Sequence, residues 1–213
     1  MNYEPFQIFD VLNEEDFSKV LEEKYNRFQN LPYIGKHVNK RERENSWMNY
    51  FEVPINLSYS SENFGVFTKV FSKIQETLMN KGFVDPVLST FAYTNHPKRT
   101  DFVFHKHYLH RSIDPYQNYI PRPDLIGKSR FAIPFTHFWI AIFYPHDLYE
   151  EDYYGNLCVK DDKDSTVEYN FPGVPNSVVL HNGLFGHEVA LKKLDPSKIR
   201  DAIFTHWLCR YDP

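Results

Sequence analysis

The chain has 213 residues, a length that fits one compact domain with a real core, and its 42% hydrophobic and 24% charged residues exclude a disordered tail or a low-complexity polymer. Its 24 basic and 28 acidic residues give a net charge of −4, so no overall field recruits bulk nucleic acid or anionic lipid. No apolar run reaches the length of about 18 residues that spans a bilayer, and Met1-Asn2-Tyr3-Glu4 lacks the basic start and apolar stretch of a secretory signal; the expectation is a cytoplasmic protein with no membrane partner.

Aromatic residues make up 17% of the chain, which suits β-rich structure because flat bulky side chains fit a pleated surface. In chain order, Phe6 to Val11 reads as a short strand. Asn13 then caps a helix whose first turn holds Glu14, Glu15 and Asp16, where carboxylates meet the positive helix end. Phe17, Val20, Leu21, Tyr25 and Phe28 recur at helical spacing on one apolar stripe. The polar, basic segment from Pro32 to Asn45 reads as an exposed loop. A second amphipathic helix begins near Ser60 or Ser61, places Phe64, Phe67, Val70, Phe71, Ile74 and Leu78 on one side, and stops at Lys81-Gly82.

From there the period changes to that of strands. Val87 to Tyr93, Asp101 to Tyr108, Phe135 to Tyr144, Gly155 to Lys160, Ser177 to His181, His187 to Leu191 and Ile199 to Leu208 are short runs of Val, Ile, Phe, Tyr and Trp. They are punctuated by Pro, Gly, Asn and Asp. Helices first and strands afterwards predict an α+β fold, a sheet sandwich or small barrel backed by N-terminal helices. The single domain covers 1–213, with 1–82 as helical support and 83–213 as the strand core. The two cysteines, Cys158 and Cys209, make no disulfide framework and read as buried thiols. Tyr93, Tyr108, Trp139 and Trp207 read as core fillers, with cavity lining as the alternative.

The histidines carry the chemistry. In Phe104-His105-Lys106-His107-Tyr108, positions i and i+2 of a strand project to one face, so two imidazoles can reach a single metal ion. His187, following the glycine-bearing Gly183-Leu184-Phe185-Gly186 turn, opens a strand that a sandwich would bring opposite that pair. Neutral imidazoles suit iron, zinc, copper and nickel, so ligand type leaves the metal open. Glu188 should point away from the face its neighbour His187 uses. His181 and His206 read either as hydrogen-bond partners behind the ligands or as ordinary half-buried histidines. The long segment from Leu109 to Pro134 follows the pair directly and exceeds usual loop lengths, as lids and substrate-contacting loops do. Its basic residues include Arg111, Arg122, Lys128 and Arg130.

This series, from His105-Lys106-His107 through the Phe138 to Tyr144 strand to His187-Glu188-Val189 and the closing Arg200 to Leu208 strand, resembles the iron(II)- and 2-oxoglutarate-dependent oxygenases over essentially the whole chain. The similarity is strongest to their prolyl-hydroxylase-like and phage or bacterial branches. The resemblance implies a double-stranded β-helix of the jelly-roll, cupin-like kind behind an N-terminal cap. It implies Fe(II) as metal, 2-oxoglutarate and O₂ as co-substrates, and a dioxygenase that hydroxylates a small molecule or peptide. By position, His105 matches the first ligand, His187 the distal ligand, and Arg200 the residue that holds the far carboxylate of 2-oxoglutarate, although it follows His187 by 13 positions, a little more than the family spacing. A planar guanidinium suits that task because it offers two parallel donors to a carboxylate.

His107 stands where the family carries Asp, which would make the site a three-histidine centre. Arg111, Arg122 and Arg130 are the substrate-side candidates. Two rival readings use the same residues differently. One is a cupin-like three-histidine metal enzyme that does not use 2-oxoglutarate; the other is a non-catalytic binding module on the same fold.

Overall fold

A computed structural model describes residues 4–29, 47–51, 64–96, 102–105, 137–161, 164–183, 185–190 and 200–211. Along the chain these form β1 (Phe6–Ile8), α1 (Glu14–Gln29), β2 (Trp47–Phe51), α2 (Phe67–Asn80), β3 (Phe83–His96), β4 (Phe102–His105), β5 (His137–Phe143), α3 (Glu151–Tyr154), β6 (Asn156–Lys160), β7 (Glu168–Pro172), β8 (Val178–Asn182), β9 (Gly186–Ala190) and β10 (Arg200–Tyr211). All described pairings are antiparallel. A six-stranded sheet runs β1-β8-β5-β10-β3-β2 and a four-stranded sheet runs β4-β9-β6-β7. The stretch 1–82 thus supplies two strands of the large sheet besides its helices. None of the described helices is long and apolar enough to cross a membrane.

The two long helices, α1 and α2, form for the reasons their sequences give. Asn13 Oδ1 accepts the Asp16 backbone N–H at 2.8 Å, satisfying an orphan donor of the first turn of α1. Regular helix in α2 starts at Phe67, later than the sequence suggested, because Gly65 takes a positive φ of 52° and interrupts the turn before it; residues 60–63 and the predicted loop from Pro32 to Asn45 lie outside the described residues. Phe67, Val70, Phe71, Ile74 and Leu78 are all buried, the stripe that the 3.6-residue period predicts.

The large sheet has an apolar cluster on each face. Strand β5 shows why its sequence is an unbroken apolar run. Trp139, Ala141 and Phe143 join α1 and α2 residues on one face, while Phe138, Ile140 and Ile142 meet Leu157, Val159 and Val189 of the small sheet on the other. Strand β10 alternates in the same way: Ile203, Trp207 and Cys209 face the helices, and Ala202, Phe204 and Leu208 belong to the cluster shared with the small sheet. Trp139 and Trp207 are therefore helix-side core, with Trp139 edge-on to Phe6 and Phe83 at centroid distances of 5.9 and 5.3 Å. The side chain of Tyr93, and Tyr108 altogether, lie outside the described residues.

Polar contacts fasten these layers. The Lys24 ammonium in α1 reaches Asp201 Oδ2 at 2.6 Å and the Pro145 carbonyl at 2.7 Å, all three away from solvent. Gln7 Nε2 in edge strand β1 donates to the Pro172 carbonyl of edge strand β7 at 2.8 Å and to Ser177 Oγ at 2.9 Å, tying the rims of the two sheets together. Cys209 is buried as expected, whereas Cys158 is only half-buried, because β6 alternates and its even positions open to the outer face of the small sheet.

Candidate metal centre

Strand register brings together two of the three positions that the sequence resemblance marks as ligands. His105, the last residue of β4, is paired directly with His187, the second residue of β9. Cα atoms of opposed residues in an antiparallel pair lie about 4.5–5.5 Å apart, within the span of two ligands of one ion. The His105 side chain and the whole of His107 lie outside the described residues, as do Arg111, Arg122, Lys128 and Arg130. Among the described residues, no three His, Cys, Asp or Glu side chains are grouped so as to hold an ion.

His187 is buried, 2% exposed, and its ring is set by two contacts. Its Nδ1 lies 3.1 Å from Nε2 of His181, with the ring planes at 74°. The ring of Phe204 stacks on it at 5.9 Å with an interplanar angle of 19°. His181 in turn places Nδ1 3.1 Å from the Asn182 carbonyl. The turn joining β8 to β9 makes this arrangement possible by carrying the chain from the large sheet to the small one. There the Gly183 N–H donates to the Phe138 carbonyl at 2.8 Å and the Phe185 N–H to the Asn182 carbonyl at 3.0 Å. A Cβ on Gly183 would lie 2.0 Å from Phe138 Cδ1, so only glycine fits beneath that ring.

His181 and His206 are both fully buried rather than half-buried. The two occupy one row across the large sheet, each paired with Ile140 of the strand between them. Burial pushes the His206 imidazole down to about 3, helped by the neighbouring His181, so the ring is neutral near pH 7. It packs edge-on against Phe138 at 5.0 Å.

Glu188 points to the outer face, as alternation predicts. Its carboxylate takes the Lys160 ammonium at 2.8 Å, and Glu168 contacts the same ammonium at 3.4 Å. Hydrogen bonding to Glu188 raises the Lys160 pKa, and burial pushes the neighbouring Cys158 thiol up to about 11, which leaves it protonated near pH 7. None of these outer-face groups faces His187. Asp147 is exposed in the segment after β5, and Asp114 lies outside the described residues.

Arg200 opens β10 opposite His96 of β3. It falls at the same alternation position as Ala202, Phe204, His206 and Leu208; its side chain lies outside the described residues. Of the two roles that the sequence left open for His181, the contact with His187 matches the hydrogen-bond partner; the stacking of Phe204 was not singled out. The available signal was the even-numbered alternation of β10, which puts Phe204 on the strand face that meets the small sheet.

The whole architecture matches solved structures. A prolyl hydroxylase from Trichoplax adhaerens, in complex with a hypoxia inducible factor oxygen degradation domain peptide fragment, superposes with a TM-score of 0.62 at 10% identity, over 97% of this chain and 84% of that one. A Pseudomonas putida prolyl-4-hydroxylase matches at 0.53 and 14% identity, over 99% and 95%. A 2OG-Fe(II) oxygenase family oxidoreductase from Burkholderia pseudomallei matches at 0.56 and 10% identity, over 96% and 84%. The fold is that of the 2OG-Fe(II) oxygenases. No family model matches the chain, and no curated protein matches it in sequence.

The donor chemistry fits the metal that a 2OG-Fe(II) oxygenase fold implies. An imidazole ligand normally engages its second ring nitrogen with a hydrogen-bond partner that fixes tautomer and orientation, and His181 occupies that place beside His187. The apolar setting around it, Val159, Val189 and Phe204, is the dry environment in which charged groups interact strongly.

Proposed function

We propose that the chain is an Fe(II)- and 2-oxoglutarate-dependent dioxygenase that hydroxylates a small molecule or peptide. Its two sheets would close as a double-stranded β-helix sandwich within a single domain. The reading rests on one observation above the others: in a chain with the 2OG-Fe(II) oxygenase fold, register pairs His105 with His187. His105, His107 and His187 would hold the iron, and Arg200 would pair with the far carboxylate of 2-oxoglutarate. Bound iron with its co-substrate supplies the oxidation of a C–H bond to an alcohol by O₂, with 2-oxoglutarate leaving as succinate and CO₂.

The chain's own residues bind, orient and exclude water. Three neutral imidazoles would leave the full 2+ charge of a bound ion to attract a dianionic co-substrate, where the family's Asp would offset part of it. The Arg200 guanidinium, with its two parallel donors, would fix the co-substrate's direction. The apolar cluster between the sheets keeps water out, so these charges act in a low dielectric.

The test is release of succinate from 2-oxoglutarate by iron-loaded protein, alone and with panels of amino acids, peptides and small metabolites. Turnover that falls at least about tenfold in Arg200→Ala, the loss of a charge-assisted pair, supports the reading. Succinate release, or 2-oxoglutarate binding, that is unchanged in Arg200→Ala contradicts the co-substrate assignment and favours a three-histidine enzyme of another kind.

A further inference from the structure

Resting on the metal-centre reading above, we infer that His181 is the positioning residue of this site: it locks His187 into the one neutral tautomer whose Nε2 lone pair can bind a metal. A backbone carbonyl only accepts, so His181 Nδ1, 3.1 Å from the Asn182 oxygen, is the N–H of that ring. A neutral imidazole has one N–H, so His181 Nε2 carries a lone pair and accepts. The group it accepts from is His187 Nδ1, at 3.1 Å. With its proton on Nδ1, neutral His187 carries its lone pair on Nε2.

The geometry around the ring supports the same conclusion. An in-plane hydrogen bond at one nitrogen and a stacked face on Phe204, at 19°, together fix both the ring's rotation and its plane. His181 is a firm anchor for this. It sits on β8, flanked by β1 and β5 in the large sheet, it is fully buried, and its backbone is paired with Ile140. The His–His contact therefore couples the large sheet to the strand of the small sheet that bears the distal ligand. Most histidine ligands gain this orientation from a carboxylate, a carbonyl or water. Here a second imidazole relays it from a carbonyl, and no charge is added to the site.

Two variants and one spectrum test the inference. His181→Phe keeps a ring of similar size and removes the acceptor; His181→Gln keeps an acceptor at about the reach of Nε2. With Co(II) as an air-stable probe, calorimetric affinity should fall about 10–100-fold in His181→Phe and stay within about threefold of the unmodified protein in His181→Gln, the usual cost of losing a ligand's orienting partner. In metal-free unmodified protein, long-range ¹H–¹⁵N spectra should show a protonated Nδ1 and a lone-pair Nε2 on His187. That readout needs no variant and stands if His181→Phe does not fold.

A proton on Nε2 of metal-free His187 overturns the inference. So does a folded His181→Phe protein that binds Co(II) as tightly as the unmodified one, or a His181→Gln protein no better than His181→Phe. Absence of Co(II) binding by the unmodified protein overturns the metal-centre reading itself, and the inference with it.

Discussion

The buried pair between Lys24 and Asp201 gives the sharpest test of how the fold holds β10. The two charges meet at 2.6 Å with side chains 10% and 2% exposed, and they join α1 to the start of β10, immediately after Arg200. Asp201→Asn removes one charge with almost no change of shape, leaving the Lys24 ammonium in a poorly solvated place. Breaking a buried pair in this way costs about 3–5 kcal/mol. At about 2–4 °C of Tm per kcal/mol for a chain of this size, the melting point should drop by about 6–20 °C. Lys24→Met should cost a similar amount, because it takes the cation from the Asp201 carboxylate and the donor from the Pro145 carbonyl. The double variant Lys24→Met with Asp201→Asn carries no unpaired charge, so its cost should fall to about 1–3 kcal/mol, the penalty of polar atoms left unsatisfied. Urea denaturation followed by circular dichroism measures all three. Single variants that each lose under about 1 kcal/mol, or a double variant that loses the sum of the singles, would refute the reasoning, since surface pairs and independent sites behave so.

Further outcomes follow from the same packing. Gly183→Ala drives a methyl group into the Phe138 ring, so thermal denaturation should show a loss of about 1–3 kcal/mol, partly recovered by adding Phe138→Leu; an unchanged Tm in Gly183→Ala would show that the ring is not confined. Asn176 has a positive φ of 55°, and its side chain accepts the Leu12 N–H at 3.0 Å and donates to the Leu12 carbonyl at 2.7 Å. Asn176→Ala should therefore cost about 2–4 kcal/mol from two hydrogen bonds and left-handed backbone, and Asn176→Gly less; equal losses in the two variants would discount the backbone contribution. The neutral, buried His206 makes a pH prediction. Its folded pKa of about 3 lies below the unfolded value near 6.5, so the unfolded chain binds the extra proton between those limits. Stability from this group is whole above pH 6.5 and declines on acidification toward pH 3 by about 1.4 kcal/mol per unit. His206→Phe should flatten that dependence, and denaturation curves with the same pH slope in both proteins would contradict it.

What the sequence revealed and what it hid divide along physical lines. The α2 stripe and the unbroken apolar β5 were legible because each is dictated by local periodicity and burial. That His187 should come near His105 was an expectation from the family resemblance and a sandwich that would bring the two segments opposite each other; their direct pairing in one sheet was not foreseen. Strand β7 was missed because it is a half-exposed edge: Glu168 and Asn170 face outward between Tyr169 and Phe171, and so polar a run does not stand out as a strand. Strand β3 begins at Phe83, ahead of the predicted Val87. Asp85-Pro86 reads as a turn, yet Asp85 takes a positive φ of 48° at an irregularity that the ladder absorbs, held by Arg210 at 2.9 Å. Strand β2 was absorbed into the expected support region, since its partner β3 lies more than thirty positions later. The contacts that set the His187 ring depend on register between separate sheets, and no local pattern encodes the meeting of Phe204, His181 and His187.

Anaerobic addition of Fe(II) and 2-oxoglutarate to the metal-free protein probes the centre most directly. The account predicts a weak visible charge-transfer band in the unmodified protein that is lost in His187→Ala while its fold, followed by circular dichroism, is retained. No band in the unmodified protein under saturating iron, or an undiminished band in His187→Ala, would contradict the claim that His187 binds iron here.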